Sequence, residues 1–275
     1  MRYCFRSIRI ALAFVMLATA RPTDGVGVGA LASTQSPSVS STSTAAQQLA
    51  EAKRAEIARY TSLLQSGDEE ERRDAVHKLG AMHDPATIAA LRAALDDKAE
   101  RVRAAALLGL GHLQEPSLAP FIAIYLTKEK SPYVRKAAAY ALGNIATSEA
   151  TTALIIGLRD KDIEVRGAAA VSLSRMPDAT AIEPLIAALR DKSAFVRAHA
   201  ATALGVNGRA AAQAVPPLIK LLTTDEDHEA RRQAATALGR IGEPSALPAL
   251  DRAERSSDPY LSQAAREAIS QISRR

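Results

Sequence analysis

The chain of 275 residues has one cysteine, no tryptophan and only 4% aromatic residues. The cysteine is Cys4, which lies within the first twenty residues. If those residues are removed on export, the remaining chain has no thiol, which excludes disulfides, thiolate metal sites and a cysteine nucleophile. A chain without thiols is compatible with an oxidising compartment. Scarce rings and abundant alanine together predict helices that pack close to one another.

A strong excess of one charge sign is also missing. The formal net charge is +5, but Arg2, Arg6 and Arg9 lie in an N-terminal stretch without acids. Without these three, the 35 lysines and arginines nearly balance the 30 aspartates and glutamates. A balanced chain attracts phosphate weakly, so we predict that nucleic acid is not a partner.

Residues 1–20 have the composition of a signal peptide. A basic start is followed by the apolar run IALAFVMLATA (10–20), which ends in Ala18-Thr19-Ala20 and predicts cleavage after Ala20, with Ala30-Leu31-Ala32 as a second candidate site. The run is shorter than the roughly 20 residues that a membrane-spanning helix needs. We therefore predict a periplasmic or secreted protein without stable membrane insertion after cleavage, the alternative being a membrane anchor formed by an uncleaved signal. Residues 21–44, rich in Gly, Ser and Thr, are predicted to form a flexible linker.

From residue 71 the chain repeats itself, with segments that start 31, 32, 31, 31, 34 and 31 residues apart. The fifth position of each segment is Ala and the ninth is Leu, or Ile in the last copy, which predicts one apolar stripe on a helix. Glycine at the tenth position of five copies predicts that the helix ends there. The segments are ERRDAVHKLG (71–80), VRAAALLGLG (102–111), VRKAAAYALG (134–143), VRGAAAVSLS (165–174), VRAHAATALG (196–205), ARRQAATALG (230–239) and LSQAAREAIS (261–270).

A second helical segment lies between successive copies, so each unit of about 31 residues is predicted to be helix A, a turn and helix B. No unit can bury its stripe alone, so the units must stack. The predicted fold class is all-α, a right-handed α-solenoid of about six to seven helical hairpins over residues 45–275, with the repeats at 68–272. The predicted A segments are 84–95, 115–126, 148–158, 178–189, 214–222 and 243–250.

Arginine at the second position of the segment is unfavourable for the helix dipole, so its recurrence needs another explanation. An acid in the preceding turn, six residues earlier, can cap the helix. We therefore predict a structural ladder of acid–arginine pairs that connects consecutive repeats. The arginines are Arg103, Arg135, Arg166, Arg197 and Arg231, with Arg72 before them, and the acids are Asp97, Glu129, Asp160, Asp191 and Asp225.

The pattern D-x(4)-V-R-x-x-A-x-x-x-L-G over residues 68–272 resembles the HEAT repeat. It is most similar to the short bacterial variety that shares its pattern with phycobilin lyase subunits. The resemblance implies a stacked helical fold and an interaction scaffold. It leaves open, as the alternative, an accessory or lyase-like protein that handles a small ligand.

An enzyme is not expected. Deoxyhypusine hydroxylase resembles the chain in architecture, and its His-Glu pairs hold two irons. At the matching third and fourth positions of the segments no His-Glu pair occurs, and His228-Glu229 lies in a turn. The five histidines occupy unrelated positions, so we predict no catalytic, cofactor-binding or metal-binding residues.

The function predicted from the sequence is binding of a partner protein or peptide on the concave face formed by the B helices. The third and seventh positions of the segments are i,i+4 neighbours that form one column per helix away from the stripe. The columns are apolar in the middle and polar at the ends, as in many protein-binding patches. The predicted contact residues are Leu108, Lys136, Tyr140, Val171, Thr202 and Arg232.

Overall fold

The computed structural model describes residues 39–274, which form fourteen α-helices and, within this part of the chain, no β-strand. The predicted signal peptide, residues 1–20, and most of the predicted linker 21–44 lie outside the described residues. Helix α1 spans Val39–Leu63 and therefore begins inside the stretch assigned to the linker. No helix in the described part is long and apolar enough to cross a membrane.

Seven B helices carry the repeated segment. Their apolar stripe is buried as predicted, with the fifth-position alanines 0–2% exposed. Several begin at a side-chain cap, as at Asp162, whose carboxylate accepts from the N–H groups of Glu164 and Val165. The B helices are α2 (Glu69–Ala81), α4 (Glu100–His112), α6 (Pro132–Ile145), α8 (Ile163–Leu173), α10 (Ala194–Val206), α12 (His228–Ile241) and α14 (Pro259–Ser273).

Six shorter A helices alternate with them. Most follow a turn of 3₁₀-helix, and proline stands at the start of three of them, where its missing N–H leaves no intrahelical bond unmade. They are α3 (Ile88–Ala93), α5 (Ala119–Lys128), α7 (Ser148–Gly157), α9 (Ile182–Ala188), α11 (Val215–Thr224) and α13 (Leu247–Glu254). The described repeats thus stack as an all-α solenoid of helical hairpins around one continuous core.

The tenth-position glycines have a different role from the one predicted. They do not end the helices, because α4 continues past Gly111 to His112 and α6 past Gly143 to Ile145. Instead each lies against the eighth position of the next B helix. A Cβ added at Gly111 would lie 2.6 Å from the Cα of Ala141. The same close approach recurs at the other four tenth-position glycines, Gly80, Gly143, Gly205 and Gly239. Glycine is therefore used here for helix–helix contact.

The longest repeat keeps the same stacking. The three additional residues of the 34-residue step are absorbed between α10 and α11, where a 3₁₀ segment spans Gly208–Ala214. Gly208 has a positive φ of 54°, a conformation that favours glycine. The insertion therefore changes a connection between helices and leaves the turn before α12 in register.

Candidate functional site

The turns between helices A and B contain a continuous ladder of ion pairs. Arg135 donates from Nε and Nη2 to the two carboxylate oxygens of Asp160, at 2.7 and 2.8 Å, across 25 residues of sequence. Its Nη1 donates to the backbone carbonyls of Glu129 and Lys130, both at 3.0 Å. Each arginine therefore joins the turn before its own helix to the turn of the following repeat. Equivalent two-bond pairs are Arg72–Asp97, Arg166–Asp191 and Arg197–Asp225.

The turn acids hold the turn rather than the helix. Asp160 lies two residues before the N-terminal cap Asp162, and its Oδ1 accepts from the Asp162 N–H at 2.8 Å. Burial alone would raise the pKa of the Asp160 carboxyl, but the bonds from Arg135 and from this N–H outweigh it and hold the pKa below its ordinary value. The predicted helix cap is thus wrong in detail, because the acid fixes the cap residue. An equivalent hydrogen bond, donated by the backbone N–H of the residue two positions later, is accepted by the carboxylates of Asp97, Glu129, Asp191 and Asp225.

The ladder is not uniform. Arg103 makes a single carboxylate contact, from Nη2 to Glu129 at 3.4 Å. Arg231 has no carboxylate partner among the described residues; it donates to the Asp225 carbonyl at 3.1 Å and contacts His228 Nδ1 at 3.0 Å. Ser256 occupies the position of the next turn acid. The prediction that Arg231 forms a pair of this kind is therefore wrong, because Ser256 stands where the following turn would supply the carboxylate.

Three of the predicted contact residues line one groove on the B-helix face. Leu108, Lys136 and Tyr140, all half-buried, border a cavity of about 500 Å³ formed by α2, α4 and α6. The groove floor contains Ala104 and Ala105, whose small side chains leave room above them. The remaining lining residues are Arg73, His77, Glu100, Arg101, Tyr133 and Ala137.

The other three predicted contact residues, Val171, Thr202 and Arg232, lie further along the same face and do not line this groove. Thr202 is engaged with the Ala198 carbonyl and the Gln233 side chain, both at 3.0 Å. Arg232 pairs with Glu229, and its guanidinium lies 5.6 Å from the ring centre of Tyr260. These side chains are therefore largely occupied by neighbours within the protein.

Cations dominate the charged groups of the groove. Lys136 contacts Glu164 at 3.2 Å, while Arg73 and Arg101 both approach Glu70. Glu100 accepts a hydrogen bond from the Ser131 hydroxyl. Three cations and one carboxylate thus line a cavity whose walls include two tyrosines and a leucine.

Three exposed aromatics on this face were missed by the sequence analysis. Tyr133, Phe195 and Tyr260 occupy the position just before the repeated segment and are 49%, 53% and 67% exposed. The Phe195 ring covers Gly167, where an added Cβ would lie 2.9 Å from it. This position lies one helical turn before the third and fourth positions of the segment and therefore on the same helix face. The helical period could thus have identified these aromatics.

Two of the histidines come together, since the ring centres of His83 and His112 lie 5.9 Å apart. Within residues 39–274, however, no group of three or more His, Cys, Asp or Glu side chains is placed to hold a metal ion. His228 lies 2.8 Å from Asp258, and His199 packs edge-on against Phe195. Desolvation by partial burial lowers the pKa of His199.

Comparison with known proteins gives a consistent result. The family model of HEAT repeats matches residues 30–111, 57–142, 119–205 and 182–270, which together cover most of the chain. No curated protein sequence matches the chain.

Several solved structures are similar to the chain in fold. The Escherichia coli protein YibA has a TM-score of 0.61 at 23% identity, with 81% of this chain and 82% of that chain covered. An engineered protein has a TM-score of 0.53 at 24% identity, covering 79% and 68%. The complex of CpcE and CpcF of phycocyanin lyase from Nostoc has a TM-score of 0.50 at 24% identity, covering 78% and 90%. At these identities the likeness concerns the fold.

Proposed function

Because the chain belongs to the HEAT-repeat family, we propose that it is a non-catalytic scaffold that binds a segment of a partner protein in the B-helix groove. Stacked repeats of this kind present extended surfaces, and we expect the B helices to line the concave one. Specificity must then come from the side chains that the individual repeats place there.

The observation that supports this proposal most strongly is the composition of the groove between α2, α4 and α6. Leu108 and Tyr140 form an apolar centre, and Arg73, Arg101 and Lys136 form a cationic rim. Aromatic and arginine side chains are enriched where proteins bind one another. A partner segment with an apolar anchor flanked by carboxylates matches both features.

A second candidate function is binding of a small ligand, as an accessory or lyase-like protein. The volume of about 500 Å³ falls within the range of small-molecule pockets, and the CpcE–CpcF complex of phycocyanin lyase has a similar fold. The two candidates differ in what the purified protein retains. A coloured or metal-containing eluate without a protein partner supports the ligand-handling function and contradicts the scaffold.

We also propose that the protein is exported and acts in the periplasm or outside the cell, after cleavage behind Ala20. The basic and apolar sequence of residues 1–20 supports this proposal. N-terminal sequencing of the protein purified from the envelope or medium would identify the mature end. An intact Met1 on membrane-bound protein would instead support the uncleaved anchor.

The test of the scaffold combines Leu108→Ser with Tyr140→Ala. Wild type and variant are expressed with their own signal, purified by a C-terminal tag, and compared by quantitative mass spectrometry of co-purified proteins. We expect a partner that is enriched with wild type and reduced at least about ten-fold with the variant, since central apolar contacts carry most binding energy.

The matched control replaces two exposed apolar residues on the A helices, Ile124→Ser with Ile156→Ser. This control retains the partner if the B-helix groove is the binding surface. Circular dichroism verifies that both variants keep their helices. Equal capture by wild type and by the groove variant would contradict the proposal.

A further inference from the structure

The central turns of the ladder share a second pattern, in which cations flank the buried acid on both sides. Three consecutive turns read Lys128-Glu129-Lys130, Arg159-Asp160-Lys161 and Arg190-Asp191-Lys192, at a spacing of 31 residues. All six cations are exposed. Because the repeats stack, equivalent residues lie on the same edge of the solenoid and form a continuous basic edge.

The acids within these turns do not neutralise the basic edge. Asp191 receives two bonds from Arg166, at 2.7 and 3.0 Å, and a third from the Ser193 N–H at 2.8 Å. Asp160 is occupied in the same way by Arg135 and by the Asp162 N–H. Each of these turn carboxylates is therefore paired with an arginine from the preceding repeat.

The flanking cations form no close ion pair with a side chain of the described residues. Within the described chain, no salt bridge or side-chain hydrogen bond involves Arg159, Lys161, Arg190 or Lys192. The nearby acids in the sequence are engaged elsewhere, since Asp162 caps α8 and Glu164 pairs with Lys136. A surplus of positive charge therefore stays at this edge even though the whole chain is nearly balanced.

Four of these cations surround one recess. A cavity of about 510 Å³ lies between the turn before α8 and the end of α9, and it is lined by Arg159, Lys161, Arg190 and Lys192 together with the paired Arg166 and Asp191. Its floor is aliphatic and includes Leu158, Pro184 and Ala187. This recess, which we call the basic groove, shares no lining residue with the groove on the B-helix face.

We propose that the basic groove binds an acidic, extended segment of a polypeptide. Arginine forks match carboxylates with paired hydrogen bonds, and two arginines occur here at equivalent positions of consecutive repeats. The aliphatic floor suits the methylene groups of Glu and Asp side chains. No aromatic ring lines the basic groove, whereas single-stranded nucleic acid is usually held by stacking on such rings.

The experiment measures binding of a fluorescein-labelled hexaglutamate peptide to the full chain by fluorescence anisotropy at low and physiological salt. Arg159→Gln combined with Arg190→Gln removes two cations of the basic groove. Arg252→Gln combined with Arg255→Gln is the control, because it removes two exposed arginines with the same change in net charge.

We expect the groove variant to weaken hexaglutamate binding by about ten-fold or more and the control by less than about two-fold, since paired charge-assisted contacts exceed general attraction. The variant Leu108→Ser with Tyr140→Ala should leave this binding unchanged, so failure of the basic groove and failure of the proposed scaffold surface are distinguishable.

If the groove variant and the control weaken hexaglutamate binding equally, the binding depends on net charge alone, and the proposal is overturned. Absence of hexaglutamate binding by wild type would overturn it as well. Polyphosphate of similar charge is measured in parallel. If polyphosphate binds in a manner that depends on Arg159 and Arg190 while hexaglutamate does not, the acidic polypeptide is the wrong occupant.

Discussion

The first and last arginines of the ladder, Arg72 and Arg231, occupy the same position in their repeats but have different partners. Arg72 donates from Nε and Nη2 to Asp97, at 2.6 and 3.0 Å. The Nε of Arg231 is buried without a hydrogen-bond partner. Both arginines still bond a backbone carbonyl of the turn before their own helix. The carbonyl contact is therefore a property of one repeat, while the carboxylate contact depends on the next.

This difference indicates what the turn acid contributes. At the C-terminal turn Ser256 accepts the Asp258 N–H at 3.2 Å, as the aspartates do for their own turns. Serine thus preserves the turn and loses the arginine–carboxylate pair, and the polar contact that remains between these repeats runs from His228 to Asp258 at 2.8 Å. A repeat array depends on such nearest-neighbour contacts for its cooperativity. We expect the last repeat to be held mainly by apolar packing.

The largest effect is expected from breaking a complete pair. Arg135→Ala leaves the carboxylate of Asp160 without its cation, and both side chains are nearly buried, at 6% and 12% exposure. Loss of one partner of a buried pair costs about 3 kcal/mol. Urea unfolding followed by circular dichroism measures the change. Lys220→Ala, an exposed site on α11, is the control and should alter stability by less than about 0.5 kcal/mol. Similar midpoints for the two variants would contradict a stabilising ladder.

A somewhat smaller loss is expected where the last two B helices meet. In Gly239→Ala the new Cβ would lie 2.6 Å from the Cα of Ala268, so α12 and α14 must separate. Overpacking of this kind costs about 2 kcal/mol. Gly67→Ala provides the matched control, since nothing lies within 4 Å of a Cβ at that position. Hydrogen exchange of α14 reports the local effect, and unchanged protection would show that the helices accommodate the methyl group.

The smallest effect, and a gain, is expected from completing the ladder. Ser256→Asp supplies the missing carboxylate to Arg231 while keeping an acceptor for the Asp258 N–H. A charge-assisted pair at a partly exposed site stabilises by about 1 kcal/mol. A double-mutant cycle with Arg231→Ala isolates the pair. A coupling energy of zero would mean that the turn does not bring the two groups together.

Much of the site could be predicted because the period of the helix is local. The buried stripe, the A and B segments and the members of the ladder all follow from residues a few positions apart. The partner of each arginine could not be obtained in this way. Arg135 donates to the carboxylate of Asp160, 25 residues later in the chain, and only to the backbone carbonyl of Glu129, six residues earlier. The exposure of Tyr133 and Phe195 likewise depends on how adjacent repeats cover one another.

The helices, their buried face and the number of repeats can be read from the amino-acid order, since each depends on periodic contacts within about 31 residues. Which residues meet between repeats depends instead on the packing of the whole array. In that packing the tenth-position glycines contact the next B helix, and the turn acids pair with the arginines of the ladder. The cations of the basic edge are therefore left without an ion-pair partner among the described residues. These outcomes depend on the distance and register between stacked helices, and that register arises only when the whole array packs.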